Sequence, residues 1–217
     1  FAAYRVGFAV PPTQLSEFAY KPPQNYSIFY FDSLAGTETS VTVYFPPLTI
    51  GGQVYDFAHL VPFTFTVQSD LAGRDLGVHV TFSSHCFSQG YDEATHPVEQ
   101  QIVLDQAGRQ RTFCSTRYRL SLMLPAVIQA LNHPQAKVRE TAALRNWAYS
   151  MTIVDPNGPY HVFFEIRRAA KNKPQDLNLV VESAYHQTDK PPRLLGRMGF
   201  ILLCGKIHMR QPTSTKR

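Results

Sequence analysis

The chain has 217 residues, 44% of them hydrophobic and only 17% charged, with 15 Phe, 11 Tyr and 16 Pro; this is enough for one large or two small cored domains and favours strands and ordered loops over long solvated helices. The longest strongly apolar run, Met198 to Cys204, falls far short of the roughly 20 residues that span a bilayer, which excludes a membrane helix. The net charge of +5 conceals a division: residues 1–108 hold 3 Lys/Arg against 10 Asp/Glu, and residues 109–217 hold 18 against 6.

A charge step of that size points to a second half that meets an anion, most often nucleic acid, and a first half that scaffolds or shields it. The three cysteines, Cys86, Cys114 and Cys204, are too few for a disulfide framework and fit reduced thiols in a cytoplasmic protein. The sequence opens on Phe1 rather than Met, which leaves room for a removed signal peptide or an upstream segment.

In chain order, Pro-Pro pairs at 11–12, 22–23 and 46–47 punctuate short aromatic strands at 27–31 and 40–45. Two more strands are expected at 57–67 and 77–87, where Val78, Val80 and Phe82 alternate with His79, Thr81 and Ser83. Residues 88–101 read as a polar loop. The next stretch, IVLDQAGRQRTF, reads as a hairpin with Ala107-Gly108 at its tip. Leu120, Leu124, Val127, Ile128 and Leu131 make a helical stripe, with Ser121 as N-cap and Pro125 in the first turn. A second helix is expected over 134–145, since QAKVRETAALR contains good helix formers and no breaker. Four strands follow at 147–154, 160–168, 177–186 and 198–208, the first pair joined by the turn Asp155-Pro156-Asn157-Gly158. The expected fold class is α+β, mainly antiparallel β. An acidic β-rich region over 1–108 packs as one unit with a basic region over 109–217, in which helices precede a four-stranded antiparallel meander.

Helices followed by such a meander resemble, in element order, the small metal-independent ribonuclease domains of the barnase, RelE and colicin-nuclease type. The stretches SSHCFS (83–88), RQRTFCSTRYRLSLMLPAVIQAL (109–131), YHVFFEIRRA (160–169) and LNLVVESAYH (177–186) resemble an uncharacterised family of bacterial proteins associated with mobile elements, over about 57–208. That family resemblance implies fold boundaries and a bacterial source rather than a particular chemistry.

Side chains that share a strand face carry the chemical argument. On 160–168 the apolar face is Val162, Phe164 and Ile166, leaving His161, Phe163, Glu165 and Arg167 opposite; on 177–186, period-2 alternation puts Glu182 and His186 on one face and Ser183 and Tyr185 on the other. Cleaving RNA through its own 2′-hydroxyl needs a base, an acid and cations for the phosphorane. Glu182 and His186 are assigned the acid/base roles, Tyr185 orientation or proton transfer, and Arg109, Arg111, Arg117, Arg119, Arg167 and Lys206 the phosphate contacts. The bland alternatives are cross-strand ion pairing for Glu165 with Arg167, a core-capping ring for Tyr185, and pairing of the arginines with the acidic first half.

His85, Cys86, His96 and Cys114 lack the paired spacing of a zinc module, and no phosphate loop, dinucleotide glycine pattern or GxSxG serine occurs. No metal or cofactor is expected. The leading expectation is an RNA-binding, metal-independent ribonuclease-like toxin or effector domain, meeting RNA rather than DNA and no membrane. The alternatives are a non-catalytic module for nucleic acid or an acidic protein partner, or a subunit of a larger bacterial assembly.

Overall fold

The computed structural model describes residues 44–96, 102–105, 107–142, 146–187 and 191–215. The strands expected at 27–31 and, up to residue 43, at 40–45 lie outside the described residues. A short hairpin, β1 (Leu48–Ile50) and β2 (Gln53–Tyr55), leads through a 3-10 turn at Ala58–Leu60 to β3 (Phe63–Ser69) and β4 (Arg74–Phe82). A second 3-10 turn at Ser84–Cys86 precedes β5 (Ser88–Gly90), β6 (Ile102–Leu104) and β7 (Gln110–Phe113), then helices α1 (Ser115–Ser121) and α2 (Leu124–Ala130). The chain continues through β8 (Lys137–Thr141), β9 (Asn146–Val154), β10 (Asn157–Arg168), β11 (Leu177–His186), β12 (Leu194–Gly199) and α3 (Phe200–His208).

Seven of these strands form one sheet in the order β12-β8-β9-β10-β11-β4-β3, antiparallel throughout except where β11 runs parallel to β4. Strands from both sides of residue 108 therefore share a single hydrogen-bonded ladder, and the fold is α+β, mainly antiparallel β. Three strands of the expected meander are present as β9-β10-β11; the stretch expected as its fourth, 198–208, is mostly helix α3, and β8 instead pairs with β9 on the other side. Period-2 alternation drives the central strands: Leu76, Val78, Val80 and Phe82 of β4, Leu177, Leu179 and Val181 of β11, and Tyr160, Val162 and Phe164 of β10 are all fully buried. They join one cluster with Leu124, Val127 and Ile128 of α2 and Phe200, Leu203 and Cys204 of α3. The Phe200 ring lies 6.3 Å from Phe65 and 6.1 Å from Phe164. A second sheet, β5-β7-β6, packs near the β1-β2 hairpin through contacts among Phe57, Phe87, Phe113, Tyr55 and Tyr118.

Four expectations are corrected. The helix at 134–145 is strand β8, because Val138 and Thr141 are buried between β12 and β9 while Lys137 and Arg139 stay in solvent, a tertiary pairing that overrides helix propensity. The strand at 198–208 is β12 ending at Gly199 followed by α3, whose buried Phe200, Leu203 and Cys204 and half-buried Ile207 recur at helical spacing. The stripe from Leu120 to Leu131 is divided between two helices, with Pro125 in the first turn of α2. Ser121 ends α1 instead of capping α2; its hydroxyl donates to the Tyr118 carbonyl at 2.7 Å.

α3 approaches the β3-β4 turn closely at Gly205, where an added Cβ would stand 2.6 Å from Ser69 Oγ and 3.1 Å from Leu71 Cβ. Gly205→Val should accordingly lower the unfolding free energy by about 1–3 kcal/mol through overpacking, read as a drop in melting temperature; an unchanged melt would show that α3 does not seat there.

Candidate nucleic-acid interface on the open sheet face

The β10-β11 register decides which side chains share a face. Phe163 lies opposite Ser183 and Phe164 opposite Val181, so Glu182 has no cross-strand partner and forms a bulge. Beyond it His186 falls in register with the buried Tyr160, and Tyr185 with His161. The extra residue thus separates the two groups that simple alternation placed together: Tyr185 joins Phe163 and His161 on the face away from the core, while His186 turns to the other side. There its Nε2 lies 3.1 Å from the Asn157 carbonyl oxygen and against Gly158, whose φ of +138° and lack of a Cβ leave room for the ring. Asn146, opposite Glu165 in β9, donates from Nδ2 to Glu182 Oε2 at 2.6 Å, which keeps Glu182 on the open face with Glu165.

Across that face one row runs Ser183–Phe163–Ala148–Arg139–Arg197 through five adjacent strands, and the next runs Tyr185–His161–Ser150. The Phe163 and Tyr185 rings stack at 5.3 Å with planes 19° apart, and the Arg117 guanidinium lies 5.3 Å from the Tyr185 ring centre. His161 is buried, with Nδ1 2.8 Å from the hydroxyl of the exposed Ser150. Burial holds the His161 pKa below the usual histidine range, partly opposed by Gln187.

The arginines and lysine singled out from the sequence are not gathered into one patch. Arg109 pairs with Asp105 at 2.8 Å and Arg119 with Asp155 at 2.9 Å. Arg111 donates to Ser88 Oγ and to its carbonyl at 2.8 and 2.9 Å. Arg117 donates to the carbonyls of His85 and Ser88 at 3.2 and 2.8 Å. Arg167 pairs with Glu165, and Lys206 on α3 donates to the Pro212 carbonyl at 3.0 Å. Asp105 takes two backbone amides besides Arg109 and His85, and these donors hold its carboxyl well below the usual range. Much of the basic cluster around 109–119 therefore holds this part of the fold together.

Sequence reasoning missed the cations at the sheet edge: Lys137 and Arg139 on β8 and Arg197 on β12, all exposed. Reading 134–145 as a helix hid them, although the two-residue spacing of Lys137 and Arg139 around the apolar Val138 was a signal of a strand with a basic face. Among the described residues no group of three His, Cys, Asp or Glu is placed to hold a metal. His85 is engaged by Asp105 at 3.1 Å and His96 by Gln89 at 3.0 Å. Burial pushes the Cys86 thiol up to about 12. A cleft of about 670 Å³ between the β3-β4 turn and the start of α3 is lined by Leu71, Asp75, Lys137 and Leu202 and by none of the sequence-selected site residues. No helix among the described residues is long and apolar enough to cross a membrane.

This frame, from β1 to the end of α3, coincides with the span of a known family model: the YjaZ family, matched over residues 47–208. The chain belongs to the YjaZ family. It is similar to Protein YjaZ of Escherichia coli (strain K12), 30% identical over 112 residues, which is 51% of this chain. The aligned stretch spans 60% of the length of that YjaZ protein. No solved structure matches the chain.

Proposed function

We propose that the chain is a nucleic-acid-binding protein, RNA being the preferred ligand, and that the open face of the seven-stranded sheet is its binding surface. The observation that carries the reading is the stacked pair Phe163–Tyr185 in the middle of a half-solvated sheet whose edge strands carry exposed cations on the same face. Aromatic rings on a sheet accept unstacked bases from single strands, and flanking cations take the phosphates. Within the leading expectation this favours binding over cleavage, because His186 is turned away from Glu182 and Tyr185.

A second reading, a metal-independent ribonuclease, is supported by one observation. His161, whose pKa burial lowers, sits beside Tyr185 and shares a hydrogen bond with exposed Ser150, so the base nearest the stack is His161. Both readings are tested by incubating the protein with labelled single-stranded RNA in chelator, following complex formation by anisotropy and cleavage on a gel. Binding should weaken by about 1–3 kcal/mol in Phe163→Ala, the value of one base–aromatic stack, while Lys206→Gln leaves it unchanged. Absence of a complex with RNA at low salt would reject the proposal; cleavage lost in His161→Gln would favour the enzyme.

A further inference from the structure

Arg139 and Arg197 lie directly opposite each other across the β8-β12 pair, at the edge of the sheet. Like charges in that position repel and destabilise the pair, and a bound anion would offset that repulsion. The carboxylates on β8, β10 and β11 are engaged elsewhere, and Asp70 and Asp75 line a cleft with Lys137 but with neither arginine. Glu140 points to the opposite face, where it accepts from the Thr215 backbone amide at 2.7 Å, and on the open face Glu165 is paired with Arg167 and Glu182 with Asn146. Among the described residues Arg197 and Lys137 have no hydrogen-bonded or ion-paired side-chain partner. Arg139 is fixed by donating from Nε and Nη2 to the Leu195 carbonyl at 3.3 and 3.1 Å. That anchors its guanidinium plane and leaves the remaining Nη1 donors for a ligand. Lys137, two residues from Arg139 and opposite Gly199, extends the positive strip along the same edge.

We infer that Arg139 and Arg197, with Lys137 beside them, form a phosphate clamp. The inference rests in part on the nucleic-acid reading, since strand spacing puts Arg139 about 10 Å from Phe163, two strands away. A chain whose bases stack on Phe163 and Tyr185 would then pass its phosphates over Arg139 and Arg197, running across the strands rather than along them. The chemistry recognised is the phosphate group, whether of a polynucleotide or of a free polyphosphate; guanidiniums carried at directly paired strand positions suit its several oxygens.

The test combines thermal melts with and without pyrophosphate and RNA titrations across a salt series, on the wild-type chain, Arg139→Gln, Arg197→Gln and, as a control for general charge, Lys171→Gln. Without ligand, Arg197→Gln should melt at or above the wild-type temperature, because the repulsion is relieved. Pyrophosphate should raise the melting temperature of wild type and Lys171→Gln and leave the two clamp variants unmoved. In the RNA arm each clamp variant should reduce the slope of log affinity against log salt by about 0.7, the loss of one phosphate contact on a single strand. Equal stabilisation of all four proteins, or of none, would overturn the clamp. RNA binding with unaltered slopes would overturn it while leaving the nucleic-acid reading standing. Pyrophosphate stabilisation confined to wild type and Lys171→Gln, without RNA binding, would do the reverse.

Discussion

Replacing Phe200 with Ala should lower the unfolding free energy by about 3–5 kcal/mol, the range for deleting a fully buried aromatic side chain. Phe200 is the first residue of α3, has no solvent exposure, and fills the space between Phe65 of the sheet edge and Phe164 at its centre. Its amide also donates to the Ala136 carbonyl at 3.1 Å, tying the helix start to the segment entering β8. The loss is therefore felt by the whole sheet. The single tryptophan, Trp147, is 3% exposed and belongs to the same core cluster, so its fluorescence reports urea unfolding directly. The midpoint should fall with an unchanged denaturant slope. A loss below about 1 kcal/mol would mean that α3 is not part of the core.

Acid should destabilise the protein well above the ordinary carboxylate range. His59 is buried, its Nε2 lies 2.7 Å from Ser121 Oγ, and burial lowers its pKa from 6.5 to about 4, partly opposed by Asp56. A base whose folded pKa lies below its unfolded value binds protons more readily once the chain unfolds. Its contribution is complete above pH 6.5 and is lost as the pH falls through about 4. Burial shifts His85 and His161 in the same direction. Allowing for solvent screening, His59 should account for on the order of 1–2 kcal/mol over that window. Denaturation at pH 7 and pH 4.5 should show the fall, and His59→Gln, which can keep a bond to Ser121, should flatten it. A pH-independent midpoint in that interval would place His59 in solvent.

The meander was readable because its strands carry their own period. Val162, Phe164 and Ile166, and Leu177, Leu179 and Val181, alternate cleanly, and Asp155-Pro156-Asn157-Gly158 marks the turn between β9 and β10. What escaped was set by contacts distant in sequence. Lys137 to Thr141 has helical propensity but sits between β12 and β9, and the apolar run from Met198 reads as a strand although Phe200, Leu203, Cys204 and Ile207 follow a helix period. The site suffered most from one residue. Glu182 has no partner across the ladder, and this single insertion exchanges the faces of everything after it, so Tyr185 and His186 change places relative to alternation. The arginine cluster at 109–119 was visible as charge, but its partners Ser88 and Asp155 lie 23 and 36 residues away and only folding brings them close, while Asp105 is four residues from Arg109 across the hairpin tip.

Ultraviolet cross-linking of the protein to single-stranded RNA, with the modified residues located by mass spectrometry, tests the binding face most directly. Adducts should concentrate on Phe163, Tyr185 and the β8-β12 edge, and should disappear when Phe163 and Tyr185 are both replaced by Ala. Adducts confined to α3 or to the β5-β7-β6 sheet, with none on β10 or β11, would contradict it.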